Sequence, residues 1–155
     1  MSWILRDLWS TLEGRQEEYA AFLHSNRVRA FEVISRIGYE VGQRHGILLQ
    51  LNFPPGQYAL RLKELGHRDL SMLVQRGKEK FEPVSENEVK KVFEQLNPKS
   101  FEPLKSGQEG FKAPLSNGII DCLPGGVHLW CEVTPEILDV LDWLFTNAYG
   151  IKPTH

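Results

Sequence analysis

Residues 117–150 constrain the fold of this chain more than any other stretch. They read NGIIDCLPGGVHLWCEV and then TPEILDVLDWLFTNAYG. In the first half, apolar and polar residues alternate on both sides of Pro124, Gly125 and Gly126, the pattern of a β-hairpin. The second half opens with Thr134 as an N-cap, Pro135 at the first helical position and Glu136 in the positive first turn. Gly150 is placed to end that helix.

The helix carries Ile137, Leu138, Val140, Leu141, Leu144, Phe145, Ala148 and Tyr149, leaving Asp139, Asp142 and Thr146 as a narrow polar stripe. Burying each large apolar side chain contributes about 1.5–3 kcal/mol, so a face this wide needs cover on more than one side. The hairpin supplies one cover, and the rest of the chain must supply the other.

Register within the hairpin follows from the turn. A loop of two residues (Pro124, Gly125) or of four (Leu123 to Gly126) pairs Cys122 with Val127, Asp121 with His128 and Ile119 with Trp130. The four-residue loop is favoured, because proline then glycine in a two-residue turn suggests type II, which fits hairpin twist poorly. A three-residue loop would put Asp121 on the side of Leu129, against the cost of burying a charge. In the favoured register Ile120, Cys122, Val127, Leu129, Cys131 and Val133 form one apolar face. Ile119, Asp121, His128, Trp130 and Glu132 form the other. Both cysteines then point inward as small buried hydrophobes and do not face each other as a disulfide would require.

Upstream, Trp3, Ile4, Leu5, Leu8, Trp9 and Leu12 recur at helical spacing and stop at Gly14. A second helical pattern runs from Arg15 through Val41 to an end at His45 and Gly46, with a break available at Ser25 and Asn26. Gly38 and Gly42 on it are read as sites of close packing. Residues 47–53 suit a strand halted by Pro54 and Pro55, residues 57–65 suit a strand or a short helix, with helix favoured, and 69–75 are read as a further short helix. Ser85 and Glu88 form a capping box for a helix ended at Asn97 and Pro98. Residues 99–116, with Pro103, Gly107, Gly110 and Pro114, are expected to form a long loop.

The expected fold is α+β: one domain over 1–155, with an antiparallel sheet of three strands (47–53, 118–122, 127–133) covered by a long N-terminal helix and the 134–149 helix. A mostly helical chain with only the hairpin as sheet is the alternative. With 155 residues, 41% hydrophobic and 25% charged, the composition is that of an ordinary soluble domain. No apolar run approaches the roughly 18 residues of a membrane span. Two cysteines and no secretory apolar region point to the cytoplasm.

Several chemistries find no support. The histidines are scattered, with no His-Glu-x-x-His and no Cys-x-x-Cys, so no metal is expected, and the lone glycine cluster is a turn, so no cofactor is expected. Basic residues from Arg61 to Lys91 are interleaved with Tyr58, Phe81 and Phe93, but Glu64, Asp69, Glu79, Glu82, Glu86, Glu88 and Glu94 lie among them. That is a solvated mixed surface, and nucleic acid is not an expected partner at a formal charge of −2.

Three functional readings remain. The leading one is a small interaction protein (an adaptor, inhibitor or immunity-type partner) that meets another protein or a copy of itself, with Trp3, Trp9 and Trp130 as candidate anchors. The second is a small enzyme in which Asp121 orients His128 as a general base, with 99–116 as a lid; no Gly-x-Ser-x-Gly elbow supplies a nucleophile. The third is a small-ligand or sensory domain with a pocket between sheet and helices.

Overall fold

The computed structural model describes residues 3–15, 27–52, 71–76, 84–131 and 134–151. Among them, the order of elements is α1 (Trp3–Gly14), α2 (Arg27–Arg44), β1 (Leu48–Asn52), β2 (Ser71–Gln75), α3 (Glu86–Phe93), β3 (Glu102–Pro103), β4 (Phe111–Leu115), β5 (Gly118–Leu123), β6 (Gly126–Cys131) and α4 (Pro135–Trp143). A 3-10 turn (Glu94–Leu96) extends α3, and a π turn (Leu144–Ala148) extends α4. The strands make one antiparallel sheet in the order β1-β2-β6-β5-β4-β3.

The class is α+β, but the sheet has six strands rather than three, which removes the mostly helical alternative. Two expectations are corrected. Ser71–Gln75 is a strand, not part of a helix, because it pairs with β1 on one side and β6 on the other. Nor is 99–116 one long loop, since β3 and β4 lie within it and β4 pairs with β5 along its length. Pro114 is tolerated there because β3 reaches only Phe111 and Lys112, so the missing N–H falls beyond the end of β3. In place of one long N-terminal helix there are α1, which ends at Gly14 as expected, and α2, which starts just after Asn26. The helix expected over 57–65 and the end of the 127–133 strand lie outside the described residues.

Packing follows the period of each element. Ile4, Leu5, Leu8 and Leu12 of α1, Ile37 and Val41 of α2, Val89 and Phe93 of α3, and Ile137, Leu138, Val140 and Leu141 of α4 join one core. The sheet contributes Leu49, Leu51, Met72, Val74, Phe111, Ala113, Leu115, Ile120, Cys122, Val127, Leu129 and Cys131, alternate residues along each strand and therefore one face. All four described helices thus lie on the same side of the sheet.

The caps match the sequence. Ser85 Oγ accepts from Glu88 N at 3.3 Å, and Thr134 Oγ1 accepts from Ile137 N at 3.3 Å. Gly46 and Gly150 take positive φ where their helices end. Gly38 and Gly42 let α2 lie against the backbone of β1, the strand at one end of the sheet; a Cβ on Gly42 would stand 2.8 Å from both Ile47 O and Leu49 N. Ser35 Oγ donates to Leu51 O at 3.5 Å on the same side, occupying a carbonyl that an end strand would otherwise present.

Candidate functional site

The hairpin has the expected register: Cys122 pairs with Val127, Asp121 with His128 and Ile119 with Trp130. Its loop is the two-residue one, because Leu123 also pairs with Gly126. Gly125 does not take positive φ, so the turn is not type II. The neighbouring strand holds it closed: Arg76 N donates to Gly125 O at 2.8 Å, and Gly126 lies so near Val74 O that no Cβ would fit.

The sheet face away from the helices is therefore ordered in rows. One row runs Glu102, Lys112, Asp121, His128, Leu73, Gln50, each opposite the next on the adjacent strand. The next row runs Pro114, Ile119, Trp130, Ser71, Asn52. Trp130 is 48% exposed and Ile119 37% exposed. Along with Tyr39 on α2 they are the exposed large apolar side chains among the described residues. The His128 ring meets the Trp130 ring edge-on at 6.3 Å.

Asp121 and His128 are brought together as cross-strand neighbours, yet no hydrogen bond among the described residues joins them. Asp121 Oδ1 is buried and has no hydrogen-bond partner among the described residues. Buried polar atoms are satisfied in the great majority of cases, and one left over marks a place where a donor belongs.

The other sequence candidates fall elsewhere. Trp3 is packed into the chain itself: its ring lies 5.1 Å from His45 and 5.9 Å from Phe145, and its backbone N–H donates to Asp142 Oδ1 at 3.1 Å. The side chain of Trp9 lies outside the described ones. Cys122 and Cys131 are buried free thiols. Burial pushes the Cys122 thiol well above its ordinary range, an effect the Tyr149 hydroxyl partly offsets. Burial raises Tyr149 too, and its hydroxyl donates to Leu123 O at 3.2 Å. These are inert core groups.

A hydrogen-bonded Asp–His pair does exist, at a place the sequence reading missed. Asp7 Oδ2 stands 2.8 Å from His45 Nε2, and Arg44 Nη1 lies 3.5 Å from Asp7 Oδ1. The His45 side chain is fully buried, so this pair fastens α1 to the end of α2 rather than meeting a substrate. A cleft of about 290 Å³ lies elsewhere, lined among others by Leu96, Asn97, Leu115, Asn117, Glu136 and Ile137. None of its side chains is a buried polar group lacking a partner.

Among the described residues no three His, Cys, Asp or Glu side chains gather as metal ligands, and no helix is long and apolar enough to cross a membrane. Compared with family models, with curated proteins and with solved structures, the chain matches none.

Proposed function

We propose that this chain is a small interaction protein whose working surface is the sheet face opposite the described helices. The observation that supports this best is the pair Ile119 and Trp130, directly opposite each other on β5 and β6 and both exposed. A tryptophan beside an aliphatic residue at the middle of a rigid sheet is the kind of anchor on which interface energy concentrates. In this reading the chain works in the cytoplasm, where its two thiols stay reduced.

Hydroxyl-radical footprinting tests the proposal. Trp130 and Ile119 should be strongly shielded in protein isolated under native conditions and freely oxidised in highly dilute protein. Equal oxidation in both states would remove the sheet face as the interface.

A second reading, a small-ligand domain, draws on the 290 Å³ cleft, at the lower end of ligand-pocket sizes. Of the charged residues only Glu136 lines it, so its ligand would be neutral or cationic. An enzyme built on Asp121 and His128 has less support, since the carboxylate does not hold the imidazole through a hydrogen bond.

A further inference from the structure

We draw no further inference here: the strongest candidate, the cleft of about 290 Å³ between the turn after α3, the β4–β5 turn and the start of α4, offers only mostly exposed polar side chains around Leu115 and Ile137, and nothing in it beyond the exposed carboxylate of Glu136 selects a ligand.

Discussion

His45 Nε2 and Asp7 Oδ2 stand 2.8 Å apart, joining the turn after α2 to the middle of α1. With the imidazole fully buried and the carboxylate mostly so, Asp7→Ala would leave a buried polar ring without its acceptor. Such a loss costs about 1–3 kcal/mol. A chemical-denaturation midpoint lowered to that extent is the expected outcome. Asp7→Asn, which keeps an oxygen in place, should recover a good part of it.

Gly42 has no room for a methyl group. Its Cβ would meet the backbone atoms Ile47 O and Leu49 N, neither of which can rotate away as a side chain would. Gly42→Ala should therefore destabilise by about 1–3 kcal/mol despite the better helix propensity of alanine. Gly14→Ala, at the end of α1 with nothing within 4 Å, should be neutral or stabilising. Thermal melts of the two variants should move in opposite directions or differ clearly in size.

Alkaline pH should weaken the fold through Cys122. Its folded-state pKa is raised above the ordinary value of 9.0 by burial, so the folded chain keeps a proton that the unfolded chain releases. Stability is then complete below about pH 9 and falls as pH rises beyond it, by about 1.4 kcal/mol per pH unit. Tyr149, raised above 10.0 for the same reason, steepens the fall at still higher pH. Urea midpoints measured from neutral to strongly alkaline pH should show the decline starting near pH 9. Cys122→Ala should make the decline shallower.

The helix that follows the sheet depends on its cap. Thr134→Ala removes the acceptor for Ile137 N and should cost about 1 kcal/mol. Thr134→Ser should cost much less. Denaturation curves of the two variants separate the lost cap from lost packing.

Much of this architecture was legible in the residues, and the reasons differ by element. The hairpin was readable because Ile119 to Cys122 and Val127 to Cys131 alternate cleanly, and one register alone puts both cysteines inside and Asp121 outside. The caps at Ser85 and Thr134 were readable because capping is a local event. Strand β2 was not, since a short apolar run such as Met72 to Val74 suits a helix as well as a strand until its neighbours are known. Strand β4 was hidden by Pro114, which reads as a breaker unless the adjacent strand is known to stop short. Two of the six positions in the charged row, Asp121 and His128, could be aligned from sequence. Glu102, Lys112, Leu73 and Gln50 joined them only through long-range pairing. The Asp7–His45 pair was invisible for the same reason, being 38 residues apart.

Trp130 carries the central claim, that the chain meets its partner through the sheet face opposite the described helices. Native mass spectrometry of the chain purified under native conditions, wild type beside Trp130→Asp, tests it most directly. The expected result is a wild-type species heavier than the 17.8 kDa chain that collapses to that mass in the variant, while circular dichroism and melting temperature stay unchanged. A heavier species that survives the substitution intact, or a wild type that is one chain at every concentration with nothing bound, would contradict it.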